Sequence, residues 1–89
     1  MNVSQRREPK MQDFERLMVA IYTGTEESGN SFVAEASMRD QLRLDPEAMK
    51  PLISPLEQRG FLAAGVPNGN LTLSEMGLAY VERYLKRSR

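Results

Sequence analysis

Apolar residues in this chain recur mostly three and four positions apart, the spacing of one helix face. Met11, Phe14, Leu17, Met18 and Ile21 form the first such stripe. Asp13 and Glu15 stand in its early turns, where the helix dipole favours negative charge, and Pro9 can open it at no hydrogen-bond cost. Thr23-Gly24 is expected to stop this helix, leaving residues 23–31 as a polar loop rich in Thr, Ser, Gly and Asn. Phe32-Val33 reads either as a very short strand or as the lead-in to the next helix. Residues 34–42 suit a short amphipathic helix, with Met38 and Leu42 four apart, and Arg43-Leu44 makes a turn with Leu44 pointing inward. Asp45-Pro46 is a strong start signal, a good N-cap followed by proline at the first helical position. Met49, Leu52, Ile53 and Leu56 follow at helical spacing until Gly60.

The pattern then changes. Phe61-Leu62-Ala63-Ala64 and Leu71-Thr72-Leu73 are two short apolar runs around an Asn68-Gly69 turn, which predicts a β-hairpin. Ser74 caps a last helix with Glu75 in its first turn. Leu78, Val81 and Leu85 mark its buried stripe, widened by Tyr80 and Tyr84. The expectation is a mainly α fold with a small β-hairpin. Residues 1–9 read as a flexible basic arm, 10–86 as the domain and 87–89 as a basic tail.

With 89 residues the chain can bury one modest core and no second one. Composition changes the picture mostly by exclusion. There is no cysteine, which removes disulfides, thiolate metal sites and thiol catalysis. There is no histidine either, hence neither the commonest metal ligand nor the side chain best suited to proton transfer near neutral pH. Ser28, Ser31 and Ser37 therefore have no imidazole to activate them. Glu26-Glu27 reads as a solvated loop pair, and the glycines fall in turns with no Lys-Ser/Thr after them. The expectation is a protein that is not an enzyme and holds no cofactor or metal. The first ten residues are polar and no apolar run approaches the ~20 residues of a membrane span, so a cytoplasmic protein without a membrane partner is expected.

The order helix, short strand, helix, turn, helix, hairpin, helix carries phrases that resemble a known superfamily. They are Leu42-Arg43-Leu44-Asp45, then Leu56-Glu57-Gln58-Arg59-Gly60-Phe61-Leu62, then Leu71-Thr72-Leu73-Ser74-Glu75-Met76-Gly77-Leu78. In this order the chain resembles the winged helix-turn-helix superfamily, in the style of small bacterial transcription regulators of the multiple-antibiotic-resistance type. The likeness runs over residues 11–85. It implies a second motif helix that lies in the DNA major groove, a wing that reaches phosphates or the minor groove, and a dimer formed through the first and last helices.

Counting about 100° per residue puts Lys50, Pro51, Ser54, Pro55 and Gln58 on the outward side of the motif helix. Pro51 and Pro55 are unusual there, because an interior proline costs ~3 kcal/mol or more. They predict a helix that is shortened, kinked or split into two turns. Charge is equally unusual. Twelve Lys and Arg balance twelve Asp and Glu, and residues 61–73 hold no charge at all. Candidate nucleic-acid or partner contacts are the residues of that outward face, together with Arg39 and Arg43 at the motif's entry and Asn68 and Asn70 in the turn. The clustered terminal cations Arg6, Arg7, Lys86 and Arg87 join them. Tyr80 and Tyr84 are candidates for a homodimer surface. Two functions follow. The resemblance favours a DNA-binding module, possibly a transcription regulator. The neutral motif, uncharged wing and outer prolines favour a winged helix that contacts another protein without direct DNA binding.

Overall fold

The computed structural model describes residues 10–87. The terminal arm and the last two residues, with Arg6 and Arg7, lie outside the described residues. In chain order the elements are α1 (Met11–Ser28), β1 (Val33–Ala34), α2 (Glu35–Leu42), α3 (Pro46–Gln58), β2 (Asn70–Leu71) and α4 (Glu75–Arg87). The described chain is thus mainly helical, with a small antiparallel sheet.

Helix α1 starts where the sequence suggests. The Asp13 carboxylate accepts the backbone N–H of Lys10 at 2.8 Å, which occupies one donor at the helix entrance. Its end differs from expectation. The helix does not stop at Gly24 but runs on to Ser28, and Gly29 closes it at φ 73°. Gly24 serves packing instead. A Cβ there would come within 2.8 Å of Val33 Cγ1, so the glycine lets β1 lie against the helix. The hydroxyls of Thr25 and Ser28 donate back to the carbonyls of Tyr22 and Gly24, which ties these weak helix formers into the turn.

Between α2 and α3 the chain turns in three residues. The Leu44 N–H reaches the Arg39 carbonyl at 2.9 Å and the Arg43 N–H reaches that of Asp40 at 3.3 Å. This is a Schellman closure, with Arg43 at φ 60° where glycine is the usual occupant. Asp45 then caps α3 by accepting the Ala48 N–H at 2.8 Å, with Pro46 in the first turn. The helix neither starts late nor splits. It passes through Pro51 and Pro55 to Gln58. Two amide donors are missing, but Glu47 and Pro51 are exposed and water can serve their carbonyls. Buried Met49, Leu52 and Leu56 hold the opposite face, so tertiary packing overrides the local proline cost.

The sheet also departs from a simple hairpin. Val33 pairs with Leu71 and Ala34 with Asn70. Only one bridge, Leu62 with Leu73, joins the two runs expected to form the hairpin, supported by Ala63 N–H to the Thr72 carbonyl at 3.0 Å. Residues 70–73 thus pair with β1 through one half of the segment and with Leu62 through the other. The Asn68-Gly69 turn is present, closed by Asn70 N–H to the Pro67 carbonyl at 3.1 Å, with Gly69 at φ 81°.

One core unites these elements. Leu17, Met18 and Ile21 of α1, Met49 of α3 and Val81 of α4 are its largest fully buried side chains. Met38, Leu52, Leu56, Leu62 and Leu71 surround them. Two expected core positions fail. Met11 is 60% exposed and Leu78 is 39% exposed. On α4 the inward place beside Val81 belongs to Gly77, which is buried. Here the helix start lies directly on the segment after α3. A Cβ at residue 77 would overlap the Phe61 carbonyl oxygen. The Ser74 N–H donates to that same oxygen at 2.9 Å, and the Ser74 hydroxyl donates to the Gly60 carbonyl while accepting the Gly77 N–H at 3.1 Å.

Two stability outcomes follow. Gly77→Ala is expected to lower the unfolding free energy by about 3 kcal/mol, since the obstacle is backbone and cannot rotate away. Arg43→Gly is expected to raise it by about 0.5–1 kcal/mol, the left-handed penalty for a side chain less the entropy glycine loses. Urea titrations of the three proteins check both. A Gly77→Ala midpoint equal to the parent's, or an Arg43→Gly midpoint below it, would contradict this packing.

Candidate functional site

The residues singled out on α3 do not all share one surface. Lys50, Pro51, Ser54 and Gln58 are exposed, as expected of an outward face, but Pro55 is half-buried and turned towards α1 and α4. Lys50 is not a free cation. Its Nζ lies 3.4 Å from the Glu47 carboxylate one turn earlier. Both side chains are largely exposed, so the pair contributes at most about 1 kcal/mol, yet it cancels the charge presented by this face. Asp45 and Glu47 place two carboxylates at the start of α3.

Around the α3 surface the other candidates scatter. Arg43 is exposed at the turn and Arg39 is half-buried on α2, and neither has an ion pair among the described residues. In the loop after α3, Asn68 is exposed, while the Asn70 amide donates to the carbonyls of Pro67 at 3.3 Å and Asn68 at 3.2 Å. Asn70 is thus occupied in shaping its own turn. Lys86 and Arg87 are exposed in the last turn of α4. Arg87 belongs to that helix rather than to a tail.

Tyr80 faces its own chain. Its hydroxyl donates to Glu15 of α1 at 2.7 Å, and its ring meets that of Phe61 at 5.5 Å between centroids. Tyr84 is half-buried one turn later. Tyr80 is half-buried as well, so each ring keeps part of its surface open.

The Tyr80 ring forms one wall of an apolar groove of about 220 Å³ between α1, the end of α3 and α4. Met11, Phe14 and Met18 line it from α1, and Pro55 and Phe61 from the other side. Glu15 and Arg59 are its charged lining residues. Sequence reading missed Arg59, Phe61 and Glu15 as a set. Only Arg59 gave a local sign, a cation just past an otherwise apolar stripe. A second depression, about 420 Å³ and wide open, lies between the end of α1 and residues 72–78. Among the described residues no cluster of three or more carboxylates could hold a metal ion, and no helix is long and apolar enough to cross a membrane.

The Tyr80 hydroxyl is held above the usual tyrosine value. The hydrogen bond to Glu15 is the first cause, followed by burial and the Glu15 charge, while Arg87 pulls the other way. Folded Tyr80 thus keeps its proton to higher pH than the unfolded chain does. Its contribution to stability is complete below about pH 10, the unfolded tyrosine value, and is lost as pH rises through the higher folded value. The stability advantage of the parent over Tyr80→Phe is therefore expected to hold up to about pH 10 and to shrink as the pH is raised above it. Urea midpoints below and above that pH test it, and a constant difference would show that the hydroxyl is not bonded to Glu15 in solution.

Compared with models of known families, with curated proteins and with solved structures, the chain matches none of them, and its function has to rest on its own residues.

Proposed function

We propose that the chain is a winged helix-turn-helix module whose work is to bind another protein. The element order supports the first half of this reading. A helix, a short strand, two helices joined by a three-residue turn, a loop centred on Asn68-Gly69 and a last helix follow one another. Residues 70–73 lie between β1 and Leu62, as the inner strand of a wing would. In this arrangement α2 and α3 are the motif and residues 64–69 the wing tip.

The charge around α3 carries the second half. DNA affinity rests largely on Lys and Arg that neutralise phosphates. The outward face of α3 offers Lys50, already paired with Glu47, behind the carboxylates at its start. The wing, residues 61–73, has no charged residue. Pro51 adds a fixed apolar relief, which costs little to desolvate against a protein and gives a phosphate nothing to bind.

A DNA-binding regulator is the second reading, favoured by Arg39 and Arg43. Both stand at the motif's entry without an ion-pair partner among the described residues. Lys86 and Arg87 could extend such a contact along a backbone. Fluorescence anisotropy with a labelled random-sequence duplex at low salt separates the two. The protein reading expects no saturable binding. Saturable binding that weakens on Arg43→Ala and Lys50→Ala, with the salt slope reduced by about one for each lost phosphate contact, would replace it with the DNA reading.

A further inference from the structure

Resting on the protein-binding reading, we propose that the groove between α1, the end of α3 and α4 docks an acidic amphipathic segment of the partner. One large apolar side chain of the segment fills the groove, and a neighbouring carboxylate pairs with Arg59.

Shape and lining support the apolar half. An apolar cavity of ~150 Å³ can take a benzene ring. The groove, at about 220 Å³, therefore has room for a phenylalanine or leucine side chain. Its walls are the methionines, aromatic rings and proline already described, all of which adapt to or stack on an incoming apolar group. Met11 stands 60% exposed among them, and Met76, 55% exposed, lies nearby over Gly60. Their exposure leaves apolar area that the other described residues do not cover.

Charge sets the chemistry of the occupant. Of the two charged lining residues, Glu15 already accepts the Tyr80 hydroxyl, whereas Arg59 is exposed and has no ion-pair partner among the described residues. The neighbouring face of α4 adds cations. Arg83 lies three residues after Tyr80, and the charge of Arg87 is felt at the Tyr80 hydroxyl. An apolar slot with a basic flank fits an apolar anchor with acidic neighbours. A basic segment would meet like charge at Arg59, which opposes association.

Two synthetic helical peptides test this with the intact chain. Both carry leucines along one face, flanked by glutamates in one and by lysines in the other. Anisotropy measures binding, and methionine-methyl NMR spectra locate it. The acidic peptide is expected to bind saturably and to shift the Met11 and Met18 methyls, while the lysine peptide does not bind. Arg59→Glu, at an exposed position, should keep the parent's circular dichroism and weaken the acidic peptide at least about tenfold, with Arg59→Gln intermediate. Equal binding of the two peptides, no binding of either, or no effect of Arg59→Glu would overturn the proposal. Shifts on the outer face of α3 without shifts at Met11 and Met18 would overturn the groove while leaving the protein-binding reading intact. Displacement of the peptide by duplex DNA, with the same methyls shifted, would overturn both.

Discussion

The start of α4 is locked to the backbone just after α3, and most of the arrangement depends on that joint. Gly60 must reverse the chain at φ 80°, with the Phe61 N–H returning to the Leu56 carbonyl. Ser74 then satisfies the Gly60 and Phe61 carbonyls, and the bare backbone of Gly77 lets the helix approach where no side chain could fit. The joint closes the loop of residues 61–74 and aligns Leu62 with Leu73. It sets Val81 into the core against α1. It also brings Phe61 and Tyr80 together, so the wall of the groove is a direct product of the same contact.

Much of this was readable locally. Asp45, Ser74 and Gly60 announce themselves because caps and stops act within four or five residues. The stripes in α1 and α3 were readable for the same reason. What was not readable depended on distant partners. Gly24 looks like a stop and is a packing residue, since its role is set by Val33 across the loop. Gly77 sits inside a helical pattern, where a glycine usually needs a packing reason, but the sequence does not say that the reason is Phe61. The two prolines of α3 suggest a broken helix because local cost is visible and the burial that outweighs it is not. The expected hairpin shrank to one bridge because β1, too short to weigh from sequence, takes half of the returning strand.

Site residues were less legible than the fold. Helical counting placed Lys50, Pro51, Ser54 and Gln58 correctly as exposed, but it could not foresee that Glu47 would neutralise Lys50 or that Pro55 would turn inward. Tyr80 was singled out as a contact residue, yet its hydroxyl is held by Glu15, a residue 65 positions earlier. The consequence for function is a shift of interest. On the outward face of α3 the lysine is paired with Glu47, whereas the groove beside it gathers exposed methionine, aromatic rings and an arginine with no ion-pair partner among the described residues.

Native-state hydrogen exchange at the Ser74 and Gly77 amides tests the organising joint most directly. Both N–H groups are hydrogen-bonded at the junction, to the Phe61 carbonyl and the Ser74 hydroxyl. If the joint governs the fold, they exchange only through global unfolding, with the same protection free energy and denaturant dependence as Val81 and Leu17 in the core. Exchange of Ser74 and Gly77 through a local opening, while Val81 and Leu17 stay protected, would show that α4 is held by its core stripe and that the junction is incidental.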